Sequence, residues 1–214
     1  MKRLFGKKKE DELLNNEEAL DEISSSEEVL SEEDAKKERD ASIYSWVETF
    51  VMVPVIVMII FAFFFKTSVV SGSSMYDTLE EGDMMLISNL FYEPEYGDIV
   101  VLTQPSYSTT DPLVKRVIAT EGQTVDIDFA RGVVIVDGEE LSEPYTYTPT
   151  NNQYDVEFPI TVKEGHIFVL GDNRNGSYDS RGASIGQIDK RMVMGKAYLR
   201  IMPFEKFGSL KFER

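Results

Sequence analysis

Leu113-Val114-Lys115-Arg116-Val117-Ile118-Ala119 is a short apolar run, rich in branched residues, with two adjacent charges set inside it. Branched side chains suit a pleated, half-buried surface, so the run predicts a β-strand. Side chains alternate across a strand. Lys115 therefore shares a face with Leu113 and Val117, and Arg116 shares the other with Val114 and Ile118. The alternation predicts that one of the two charges is sequestered. A sequestered ammonium loses its hydration, and its pKa falls toward the range in which it accepts a proton.

Working outward, the same kind of run recurs. Met84–Ser88, Asp98–Leu102, Val125–Ile127, Gly132–Gly138, His166–Leu170 and Met192–Met202 are short and apolar, with turn signals between them at Gly82-Asp83, Gly97-Asp98, Arg131-Gly132, Asp137-Gly138 and Glu164-Gly165. Tyr145 to Tyr154, with Pro149 and two asparagines, reads as a surface loop. No window in this part of the chain keeps helical spacing. The expected fold is mainly β, an antiparallel domain.

Toward the N-terminus the pattern changes. From Phe50 to Phe65 every residue is apolar, Pro54 included, and the flank from Ile43 extends the run to 43–65. At ~1.5 Å per residue such a helix covers about 35 Å, enough for a ~30 Å hydrocarbon layer. Tyr44 and Trp46 suit the interface. Lys36, Lys37 and Arg39 precede the run and only Lys66 follows closely, a bias that places the N-terminus in the cytoplasm and the rest outside the cell membrane. The length of the run, and the 42 residues before it, favour a retained single-pass transmembrane helix over a cleaved signal peptide. Residues 1–42 carry 14 acids and 8 bases with few apolar residues, the composition of a disordered acidic tail. Three parts are expected: a cytoplasmic tail over 1–42, an anchor over 43–65 and an extracytoplasmic β-rich domain over 66–214.

Composition excludes several classes of function. Acids outnumber bases 38 to 22, a net charge of −16, so no basic footprint for nucleic acid is present. With no cysteine there is no disulfide framework, thiolate metal site or thiol nucleophile. The single histidine, His166, opens an apolar strand and reads as structural; aspartate–histidine triads and zinc sites fail on histidine count.

Ser71-Gly72-Ser73-Ser74-Met75-Tyr76-Asp77-Thr78-Leu79 lies about nine residues past the apolar run. Small residues crowd Ser74, so a substrate backbone can approach its hydroxyl. Serine needs a base beside it to act as a nucleophile, and Lys115 is the candidate. Gly171-Asp172-Asn173-Arg174-Asn175-Gly176-Ser177-Tyr178-Asp179-Ser180-Arg181 follows an apolar strand and is dense in polar side chains, as expected of a loop that builds a site.

These pieces, with Gly97-Asp98-Ile99-Val100-Val101, resemble the type I signal peptidases, membrane-anchored Ser-Lys endopeptidases, over roughly residues 43–210. The resemblance implies Ser74 as nucleophile and Lys115 as general base. It implies that Ser177 hydrogen-bonds and orients the Lys115 amine, and that Asp179 and Arg181 form a supporting ion pair. The Ser74 N–H would supply part of the oxyanion hole. Some members carry a helping serine where this chain has Gly72, so that contribution would fall to the backbone. No metal and no cofactor is implied. The implied partners are signal-peptide-bearing preproteins, cut after small residues, and membrane lipid; contact with the secretion machinery is left open. Three positions depart from the family's habit: Asp77 stands where proline is usual, Glu121-Gly122-Gln123 replaces a proline-glycine-aspartate turn, and Asn89 stands where lysine is common. A dedicated processing protease, or a non-catalytic membrane-tethered assembly factor on the same scaffold, are the alternatives.

Overall fold

The computed structural model describes Lys36, Lys37, Arg39, Tyr44 and residues 46–210. The tail expected over 1–42 lies outside the described residues except at those first three positions, which are helical, and so does Ile43 at the start of the expected anchor. Helix α1, Trp46–Phe64, is long and apolar enough to cross a membrane, and no part of it is buried by protein. It stops at Phe64, and Lys66 already belongs to a strand. Two compact units divide between Ile59 and Ile60. The second holds all the described strands.

Those strands are β1 (Lys66–Val69), β2 (Met84–Ser88), β3 (Ile99–Gln104), β4 (Ser108–Thr120), β5 (Thr124–Asp128), β6 (Val133–Val136), β7 (Glu139–Glu140), β8 (Ile160–Thr161), β9 (His166–Leu170), β10 (Ile188–Asp189), β11 (Val193–Met202) and β12 (Gly208–Ser209). Each short apolar run read after residue 66 forms a strand. The additional strands β1, β7, β8, β10 and β12 are two to four residues long. Segments that short carry no readable periodicity; β7 is a pair of exposed glutamates in register with β6, and Glu140 also pairs with Arg131.

An eight-stranded antiparallel sheet runs β1-β2-β11-β3-β4-β9-β10, with β12 added on β11; a second, four-stranded sheet runs β7-β6-β5-β8. β4 is interior to the large sheet. Both of its faces are covered by apolar clusters. Val114 joins Met75, Leu79, Met85, Ile87 and Val101 in one cluster. Ile118 and Ala119 join Phe168, Leu170 and the inward residues of β5 and β6 in a second, which packs the two sheets together. Val117 joins Val100, Leu102, Ile167 and Val169 in a third. Burial of this kind, at about 25 cal/mol per Å² of apolar surface, replaces the cross-links that a cysteine-free chain lacks.

Candidate active site

Ser74 sits on a single tight turn. The Tyr76 N–H donates to the Ser73 carbonyl and the Leu79 N–H to the Met75 carbonyl, at 3.2 and 2.8 Å. Met75 and Leu79 are four residues apart and both fully buried, so they plug one side of the turn into the core and leave Ser74 half-buried on the other. Gly72, before the turn, has φ +82°, in the left-handed region that side chains disfavour.

Lys115 reaches this turn from the middle of β4. Its Nζ lies 2.8 Å from Ser74 Oγ and 3.1 Å from the Val114 carbonyl. Burial holds the amine's pKa down, to about 8; Asp179 and Asp172 oppose the shift and Arg181 adds to it. Desolvation is the larger effect because Lys115 is only 3 % exposed.

The strand alternation led to the expectation that only one of Lys115 and Arg116 is sequestered. Both are: Arg116 is 2 % exposed. β4 is an interior strand with both faces covered, so neither face offers water. Arg116 is held instead by a carboxylate. Its Nε and Nη2 donate to Asp172 Oδ1 and Oδ2 at 2.8 and 2.6 Å, its Nη1 donates to the Gly97 carbonyl at 2.7 Å, and its guanidinium lies 4.0 Å from the Tyr145 ring centre.

Asp172 gathers the three sequence pieces. Thr78, at the end of the Ser74 turn, donates its hydroxyl to Asp172 Oδ2 at 2.5 Å. Arg116, on the same carboxylate, adjoins Lys115 in β4. Asp172 itself opens the loop after β9. The backbone adds a second tie, from the Asn173 N–H to the Ser74 carbonyl at 3.0 Å. Arg200 Nη2 fixes the far end of the turn through the Thr78 carbonyl.

The rest of the loop is held from within. Arg181 donates to both Asp179 oxygens at 2.8 and 2.9 Å, with both side chains fully buried, and Asp179 Oδ2 also accepts the Gly171 N–H. Arg174, fully buried, pairs with Glu143 and donates to Thr150 Oγ1, so the 143–150 segment is clamped to the back of the loop. That segment has neither helix nor strand, in line with the loop reading, but Thr150 is buried. Ser177 differs from expectation. Its hydroxyl is buried and makes no hydrogen bond to Lys115 or to any other described group. It faces Gly171 instead: a Cβ there would lie 2.3 Å from Ser177 Oγ and 2.5 Å from the Ser74 carbonyl. Glycine at 171 is what lets the two serine segments close on each other.

Ser74, Lys115, Ser177, Asp179 and Arg181 are thus brought together, and Gly72 shapes the approach to the turn. Sequence reasoning did not assign Asp172, Arg116, Thr78 or the Arg174–Glu143 pair. Asp172 and Arg174 lay in the polar run already singled out, but Glu143, thirty-one residues before Arg174, carried no local signal. The cavity of about 500 Å³ lined by Tyr96, Ile118, Val136 and Leu141 holds none of these groups.

The chain is similar to known proteins. Residues 43–202 match the family described as signal peptidase, peptidase S26. A probable signal peptidase I-1 of Synechocystis is 34% identical over 169 residues, covering 74% of this chain and 83% of that one. Signal peptidase I of Bacillus licheniformis is 32% identical over 178 residues, covering 77% and 91%. A crystal structure of a signal peptidase I from Enterococcus faecalis is 30% identical and superposes with a TM-score of 0.40, covering 49% of this chain and 97% of that one. On the family match and the two relatives, the chain belongs to the signal peptidases of the peptidase S26 family, and is a serine peptidase.

Proposed function

We propose that this chain is a membrane-anchored Ser-Lys endopeptidase that removes N-terminal signal peptides from exported preproteins at the outer face of the cell membrane. The observation that carries the reading is the 2.8 Å contact between a buried lysine amine and a serine hydroxyl. With its pKa lowered to about 8, the Lys115 amine is substantially neutral in mildly alkaline solution. Neutral Lys115 takes the Ser74 proton as Oγ attacks the scissile carbonyl. The Ser74 N–H, which has no acceptor among the described residues, is available for the oxyanion. Lys115 returns the proton to the leaving amine, then activates the water that releases the acyl group. Asp179 and Arg181 set the charge around the amine, and the Gly171–Ser177 contact holds the loop against the Ser74 segment.

Topology sets the substrate. Helix α1 anchors the protein in lipid, with residues 1–42 in the cytoplasm and 66–214 outside. From Phe65 to Ser74 the chain spans at most about 30 Å at ~3.3 Å per residue, which keeps the hydroxyl near the membrane surface. Bonds just outside the apolar segment of another exported chain lie within that reach.

The test compares the wild type with Ser74→Ala and Lys115→Met in membranes, on a precursor with an Ala-x-Ala site. Both variants should be inactive. Cleavage surviving either one refutes the dyad, and no cleavage by the wild type favours an assembly factor.

A further inference from the structure

Tyr154 comes from the irregular segment before β8 and was not among the residues expected at the site. Its hydroxyl donates to the Ser177 carbonyl at 2.9 Å. Its ring lies under the Arg181 guanidinium, 5.1 Å from Cζ to the ring centre, within range of a cation–π contact. The same ring packs against Tyr178 at 5.0 Å, and Tyr178 stacks on Tyr107 at 5.5 Å and 18°. The three tyrosines run from the 150–156 segment, across the loop that carries Ser177 and Asp179, to the turn between β3 and β4.

Tyr154 touches Ser177, which stands against Gly171 and the Ser74 segment, and Arg181, whose charge acts on Lys115. Among the described residues the Ser177 carbonyl accepts from Tyr154 Oη and Arg181 Nη2. The direction of the Ser177 hydroxyl depends on where that backbone is held. Arg181 in turn holds Asp179, whose charge raises the Lys115 pKa while that of Arg181 lowers it. The 150–156 segment has other anchors: Asn152 bonds Asn175 twice, Val156 N–H donates to the Arg181 carbonyl, and Arg174 holds Thr150. The hydroxyl and ring of Tyr154 are therefore not needed to keep the segment in place.

We infer that Tyr154 is a positioning residue for the reaction, fixing Ser177 through its hydroxyl and shielding the Arg181–Asp179 pair with its ring. The inference rests on the Ser74–Lys115 reading. Removing the hydroxyl frees one side of the Ser177 carbonyl. Removing the ring lets water onto Arg181, which screens its charge more than that of the enclosed Asp179. The balance of charge at Lys115 then shifts toward the carboxylate, and the amine holds its proton to higher pH.

The test uses the full chain in membranes and measures precursor cleavage between pH 6 and 10. Tyr154→Phe should lower kcat about fivefold with KM unchanged, the size of one hydrogen bond. Tyr154→Leu should lower kcat further and move the rising limb of the pH profile to higher pH. Tyr107→Ala, at the far end of the tyrosine row, should keep the wild-type limb. Wild-type kcat in Tyr154→Phe together with an unmoved limb in Tyr154→Leu overturns the inference. So does an activity loss that only follows the folded fraction measured by thermal unfolding. Ser74→Ala separates the two readings: activity in that variant sinks the dyad itself, whereas an inactive Ser74→Ala beside a normal Tyr154→Phe and Tyr154→Leu sinks only the role of Tyr154.

Discussion

Arg116 and Asp172 form a two-pronged ion pair at 2.8 and 2.6 Å with neither side chain open to water. Asp172→Asn leaves the guanidinium buried against a neutral partner. Breaking one side of such a pair costs about 3–5 kcal/mol. The same carboxylate ties Thr78 to β4, so cleavage should fall along with stability. Thr78→Val removes only the hydroxyl tie and should lower activity with a much smaller loss of stability. Thermal unfolding and precursor cleavage, measured on both variants, separate the two effects; equal stability loss in both would contradict this division.

Two glycines near the nucleophile should respond differently to alanine. At Gly171 the added methyl would collide with Ser177 and with the Ser74 carbonyl. Displacing reacting groups by about 1 Å can cost on the order of a hundredfold in rate, so Gly171→Ala should be nearly inactive. At Gly72 the methyl meets open space, and the cost is the left-handed backbone, about 1–2 kcal/mol. Gly72→Ala should lose stability but keep most of its cleavage rate. The reverse ranking in a cleavage assay would refute the packing argument.

Activity should follow the deprotonation of Lys115. Below its pKa of about 8, kcat should rise about tenfold per pH unit, then level off above it. A flat profile from pH 6 to 9 would count against Lys115 as the base. Lys115→Arg supplies a sharper version, because a guanidinium stays charged throughout and should leave no activity at any pH in that range.

Stability carries the same signature with a definite sign. The Lys115 pKa is depressed in the folded protein, to about 8 from 10.5. Between those values the unfolded chain binds the proton and the folded chain does not, so stability rises with pH across that window. The full effect is on the order of 3 kcal/mol. Urea unfolding in detergent at pH 7.5 and pH 9.5 should show the wild type gaining stability relative to Lys115→Met. An unchanged difference between the two proteins would mean that the amine is not desolvated.

The long strands, the apolar helix and three of the site's segments were legible in the sequence because each is a local pattern. Leu113–Ala119 alternates, Phe50–Phe65 is unbroken, and the Ser74 and Gly171–Arg181 stretches are marked by small and polar residues. What distance along the chain hides is which charges meet. Alternation along β4 suggested one buried charge; two were buried, because β4 lies inside a sheet packed on both faces, a property of its neighbours rather than of its own residues. Asp172 became the junction of three segments, and Glu143 and Tyr154 reached the loop from outside it, only once β9 had paired with β4. The Ser177 hydroxyl, expected on Lys115, stands beside Gly171, since its direction is set by backbone contacts that no spacing encodes. The residues available for chemistry were written in the chain; the desolvation that lowers the Lys115 pKa, and the ion pairs that enclose it, exist only where the folded sheets exclude water.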